Sequence, residues 1–212
     1  MEINTPVIPE TITVHLGAPS EQANNITVPF VEYIKNVASN EIYPTWPTDA
    51  IKANVLAQIS FTLNRVYNEW YPSQGYDFDI TSNPRYDQAF KENSQFYDSI
   101  ATIVDDIFNN YIARTDSVQP LYAQYCDGKT VTCDGLSQWG SVRLAKDGLS
   151  PLEILSYYYG SNIKLIYNRE KITIIASYIL LLQINSFLSF PHHFSIINYD
   201  FFAVDRCSRN LG

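Results

Sequence analysis

The chain has 212 residues, 46% hydrophobic and 17% charged, which suits one ordinary domain with a core of its own. A formal net charge of -8, with no cluster of Lys and Arg, excludes a general nucleic-acid surface and leaves a neutral or cationic polymer as the easier partner. Three cysteines, Cys126, Cys133 and Cys207, are too few, and odd in number, for a disulfide scaffold.

The first residues contain no basic stretch followed by an apolar one, so no secretory signal is expected. The chain reads as cytoplasmic, or as released without such a signal. Alternation over residues 12–16 predicts a strand and residues 26–28 a second, with turn-rich sequence between them. A helix is predicted from Phe30 to about Glu41, with Phe30, Tyr33, Ile34, Val37 and Ala38 on one face. Pro29 suits its first turn, and Pro44 and Pro47 forbid its continuation. A second helix is expected from Asp49 to about Tyr67, with Thr48 as N-cap and Ile51, Val55, Ile59, Leu63 and Val66 inside.

Residues 71–93, rich in Pro, Gly, Asp and Tyr, predict an ordered loop region with room for one strand. A third amphipathic helix is expected over residues 94–112, on Ile100, Ile103, Val104, Ile107, Phe108 and Tyr111. Short strands are expected at 121–124 and 129–132 around the turn at Asp127-Gly128. Helices follow at about 141–146 and 151–159, the second opening with Ser150-Pro151-Leu152-Glu153, a capping box with proline first.

The segment between Ile172 and Phe190 is strongly apolar but broken by Ser177, Gln183, Asn185, Ser186 and Ser189. It is long enough for membrane contact, although a buried element or a separately behaving tail is the expected reading. The change in composition divides the chain into residues 1–168 as a domain and 169–212 as a divergent tail. The elements together predict an α+β fold, helices packed on short, mostly antiparallel strands.

Dinucleotide loops, phosphate loops and zinc-protease helices are not encoded, and no cofactor is expected. His15 falls on a predicted strand and reads as structural, while His192 and His193 are weak metal candidates in the tail. Cys126 and Cys133 bracket a glycine turn, which leaves free thiols, a disulfide or two zinc ligands open. Two cysteines without a nearby third ligand make metal the weakest of the three.

Two stretches carry more specific chemistry. The first is the helix ending at Glu41, then Pro44-Thr45-Trp46-Pro47, then Ala50-Ile51-Lys52-Ala53-Asn54. The second is Gly135-Leu136-Ser137-Gln138-Trp139-Gly140, followed by Leu144, Ala145, Gly148 and the run from Glu153 to Gly160. Together they resemble the peptidoglycan-cleaving domain of the SpoIID (stage II sporulation protein D) family. That family has an acidic residue closing a helix, a Pro-x-x-aromatic-Pro turn, an Ala-Leu/Ile-Lys-Ala-Gln/Asn helix start and a later Gly-x-Ser-Gln-aromatic-Gly segment. The resemblance spans about two-thirds of the chain. Two positions depart from it: Ile59 stands where the family usually has Arg, and Cys133-Asp134 where it has His.

The resemblance implies a lytic transglycosylase that acts on peptidoglycan glycan strands between MurNAc and GlcNAc, with Glu41 as its single acid and base. It implies Ser137 and Gln138 as hydrogen-bonding groups for the glycan, Tyr43 and Trp139 as stacking surfaces, and Lys52 as a substrate contact or a residue orienting Glu41. From the residues alone, Glu41 closes a helix whose dipole is negative there, among Ile42, Tyr43 and Trp46. Both effects predict a raised carboxyl pKa, as a general acid requires. The alternative is a binding or scaffolding module of the same fold without catalysis, suggested by Ile59 and by the missing His.

Overall fold

The computed structural model describes residues 6–167, and its centre is a single long helix, α2, Thr48–Tyr67. Apolar or small residues lie on nearly every side of it, from Ala50 and Ala53 to Phe61 and Leu63, so it carries no narrow stripe and is buried all round. Its buried hydroxyls serve the backbone. Ser60 Oγ donates to Leu56 O and accepts from the Ile112 N–H at 2.9 Å. Packed against α2 are α1 (Phe30–Glu41), α3 (Asp98–Ile107), α4 (Gln138–Lys146) and α5 (Pro151–Tyr159).

Three small sheets surround these helices. β1 (Thr11–His15) lies between β2 (Asn25–Pro29), antiparallel, and β3 (Ile80–Thr81), parallel. β4 (Asn110–Arg114) pairs antiparallel with β7 (Ile163–Tyr167). β5 (Tyr125–Cys126) pairs parallel with β6 (Leu136–Ser137). The fold is therefore α+β, and its longer ladders are the antiparallel ones. His15 is structural, with Nδ1 2.7 Å from Asn25 Oδ1 and its ring stacked on Phe78.

Several local expectations are corrected by contacts from elsewhere in the chain. Thr48 is not an N-cap but the first helical residue, because Pro47 takes the extended backbone before it. The third helix starts later than expected because residues before it are tied to α1. Asn36 Oδ1 accepts the Lys91 N–H at 2.9 Å, and Asn40 Nδ2 donates to Ser94 Oγ at 2.9 Å. It also ends earlier. Tyr111, Ile112 and Ala113 form strand β4, because β7 and Ser60 supply partners for their backbone. β7 itself had no forecast in the sequence.

Residues 129–132 are not a strand. The Asp127 carboxylate accepts the N–H groups of Lys129, Thr130 and Val131, which folds this stretch into a tight loop. α4 starts earlier than expected, at Gln138, with the Ser137 hydroxyl accepting the Gly140 N–H at 3.0 Å. The capping box at Ser150 and Glu153 forms as the sequence predicts. The apolar segment between Ile172 and Phe190, the pair His192 and His193, and Cys207 lie outside the described residues. Among the described residues, no helix is long and apolar enough to cross a membrane.

Candidate active site

Glu41 is the last residue of α1, and the chain turns away immediately after it through Ile42, whose N–H still bonds Ala38 O at 3.0 Å. The Glu41 carboxyl points inward. Gln58 Nε2, from α2, donates to its Oε2 at 2.8 Å, and the Ala89 N–H donates to its Oε1 at 2.8 Å. Burial pushes the Glu41 carboxyl above its ordinary range, and the hydrogen bonds from Ala89 and Gln58 pull it partly back. The direction matches the sequence expectation. Its main cause is enclosure by α2 and the loop at residues 88–89.

A second tier of polar side chains holds this arrangement. Gln88, fully buried, accepts from Tyr33 Oη at 2.9 Å and from Thr62 Oγ1 at 2.6 Å, and its Nε2 donates to Gln58 O at 3.2 Å. Asp87 beside it is clamped by Arg65 Nε at 3.1 Å and Tyr71 Oη at 2.6 Å. The Tyr125 hydroxyl, on β5, is close enough to Glu41 to feel its charge. By strict geometry that hydroxyl is buried without a hydrogen bond, as is Gln58 Oε1. Gln58, Gln88 and Tyr125 were not expected from the sequence. An i, i+4 polar pattern at Gln58 and Thr62 on an otherwise apolar helix was the available signal.

Beside Glu41 in the chain stands an aromatic cluster. Tyr43, 55% exposed, lies 5.7 Å from the Trp46 ring and 5.8 Å from the Trp139 ring, and Trp46 and Trp139 are 4.9 Å apart. The two sequence motifs thus meet through these rings, although they are far apart along the chain. The Lys129 ammonium stands 3.3 Å from the centre of the Trp139 ring. Gln138 opens α4 and is 6% exposed. Ser137 is occupied as the cap of α4.

Two expectations change here. Lys52 does not orient Glu41; its ammonium pairs with Asp106 at 3.3 Å, beside a separate apolar pocket of about 290 Å³ that also includes Leu56, Ile107 and Leu152. Cys126 and Cys133 are joined in a disulfide, which removes both as metal ligands. Among the described residues no cluster of His, Cys, Asp and Glu is arranged to hold a metal ion. The disulfide and the Asp127 turn close the loop that carries Lys129. Gly128, at φ 73°, lies so close to Ser137 that any side chain there would strike its hydroxyl.

The disulfide joins residues seven apart, so it closes a short loop. Replacing both cysteines with serine should therefore cost about 2–3 kcal/mol of stability, read as a lower urea midpoint with unchanged slope. An unchanged midpoint would show that the Asp127 turn alone holds the loop.

A family model described as SpoIID, Stage II sporulation protein, matches residues 20–122, just under half of the chain. Over these residues the chain is similar to the SpoIID family. The match takes in Glu41, Tyr43, Gln58 and Gln88, but ends before the SpoIID-like stretch at Gly135–Gly140. Among curated proteins, none is a match to the chain.

Proposed function

We propose that the chain is a lytic transglycosylase that cleaves cell-wall glycan between MurNAc and GlcNAc, with Glu41 as its single acid and base. The reading rests on one observation above the others: an enclosed glutamate with a raised carboxyl pKa, followed two residues on by the exposed ring of Tyr43, which lies 5.8 Å from Trp139. A carboxyl that holds its proton more tightly than usual can give it to the departing glycosidic oxygen. As a carboxylate it then takes the proton from the sugar's own 6-hydroxyl as that oxygen attacks the anomeric carbon. Hydrolysis would call for a second carboxyl across the bond, and none is among the groups that set the ionisation of Glu41.

Tyr43 and Trp139 are suited to stack on sugar faces, and the amide of Gln138 to hydrogen-bond the strand. Ser137 and Lys52 keep smaller parts, since each already has a partner within the fold. Purified chain incubated with peptidoglycan should release 1,6-anhydro-muropeptides, identified by mass. Products with free reducing ends instead would overturn transglycosylation.

A second reading, a glycan-binding module without catalysis, has its own support. Both carboxyl oxygens of Glu41 already accept internal hydrogen bonds, and Ile59, where the family usually has Arg, is wholly buried in the core. Retention on insoluble peptidoglycan without anhydro products would favour it. In either case Trp139→Ala should weaken that retention by roughly 3- to 10-fold, since one aromatic stacking contact is worth about 0.5–1.5 kcal/mol. Unchanged retention would take the aromatic cluster out of the binding surface.

A further inference from the structure

The Gln58 amide sits against Glu41 with one end used and the other idle. Its Nε2 donates to Glu41 Oε2 at 2.8 Å, while its Oε1 is buried without a partner. An unpaired buried carbonyl carries a cost of about 1–3 kcal/mol, so its presence beside a buried acid calls for a reason. The arrangement with Nε2 toward Glu41 serves only the carboxylate, because a protonated Oε2 is itself a donor and would face another donor. A half turn about the last bond of Gln58 exchanges the two ends of the amide and presents an acceptor at the same place.

The backbone around the amide is held independently of its side chain. The Gln58 backbone carbonyl stays bonded to Gln88 Nε2 at 3.2 Å. The Ala89 N–H can donate to Oε1 in both states, which directs the proton to Oε2. The titratable groups facing Glu41 are the hydroxyls of Tyr125 on β5 and Tyr33 on α1. Burial holds both phenols well above their ordinary range, so they stay neutral while Glu41 titrates. Asp87, next to Gln88, is engaged by Arg65.

We propose that the Gln58 amide makes a half turn whenever Glu41 gains or loses its proton, so that one side chain supports the acid and the base form in succession. Gln58 is thus a positioning residue, acting through Glu41. The inference rests on Glu41 as the acid–base group, but its test needs no substrate and so can fail separately from that reading.

The test follows the Glu41 carboxyl carbon and the Gln58 side-chain amide by NMR in labelled protein, between about pH 4 and pH 9. The Gln58 amide signals should move with the midpoint of Glu41. In Gln58→Met each protonation state loses one hydrogen bond, so the Glu41 midpoint should move by less than about half a unit. Gln58 signals that ignore the Glu41 titration would overturn the proposal. So would a rise of the midpoint beyond that limit, the mark of a fixed donor serving only the carboxylate. The first readout uses the unaltered chain and stands even if the variant folds poorly. A coupled titration in a protein that releases no anhydro products would leave the amide turn in place and remove the enzymatic reading.

Discussion

Glu41→Gln is expected to lower the release of 1,6-anhydro-muropeptides by at least about 100-fold, the range that general acid–base groups contribute. Glutamine keeps the shape and can still accept the Ala89 or Gln58 N–H, so the fold should persist. The same variant has a stability signature with a definite sign. Burial raises the Glu41 pKa in the folded chain above the ordinary 4.5, so between those two values the folded state binds more protons than the unfolded one. The stabilisation from Glu41 is full below the unfolded value and is lost as pH rises through the folded one. Above the folded value the buried carboxylate is therefore a burden that glutamine removes. Thermal melts should show a flatter loss of stability with rising pH in the variant than in the parent. Undiminished product release would remove Glu41 from the chemistry, whatever the melts show.

Asp87→Ala is expected to give the largest loss of stability, about 3–5 kcal/mol, because it leaves the buried Arg65 guanidinium without its carboxylate. Asp87 also accepts from Tyr71 Oη at 2.6 Å, from the Thr81 N–H at 3.0 Å and from Thr81 Oγ1 at 2.7 Å. Those donors would be stranded as well. Arg65 would retain only its aromatic neighbours, among them Trp70 at 4.6 Å and Tyr122 at 5.1 Å. The loss should be read in urea unfolding. Asp87→Asn, which keeps an acceptor without the charge, should lose less. The Gln88 and Ala89 contacts to the site follow directly in the chain, so any folded Asp87→Ala protein should also show a displaced Glu41 midpoint. Stability within 1 kcal/mol of the parent would mean that water replaces the carboxylate freely, contrary to the full burial of the Asp87 side chain.

Some of this was legible in local sequence because its physics is local. The apolar spacing from Phe30 to Ala38, the prolines after Glu41 and the capping box at Ser150 act within a few residues, and these elements form close to where they were expected. The stretch at residues 110–114 was misread because Tyr111-Ile112 fits a helical face as well as a strand. The choice was made by β7 and Ser60, which approach from distant parts of the chain. Residues 129–132 have strand-like composition, but the Asp127 carboxylate captures their backbone donors first.

The site divides in the same way. Sequence by itself determined the α+β class, the resemblance to the SpoIID family, and Glu41 as an acidic residue at the end of a helix. Spacing and motif order are properties of the chain alone. Only the tertiary structure decided what Glu41 touches. It replaced Lys52 by Gln58 and the Ala89 N–H, joined Cys126 to Cys133, and brought Tyr43 against Trp139. The physical reason is that a carboxyl's ionisation depends on burial and on hydrogen bonds a few ångströms long. Those are supplied by α2 and by the loop at residue 89, neither of which is near Glu41 in sequence.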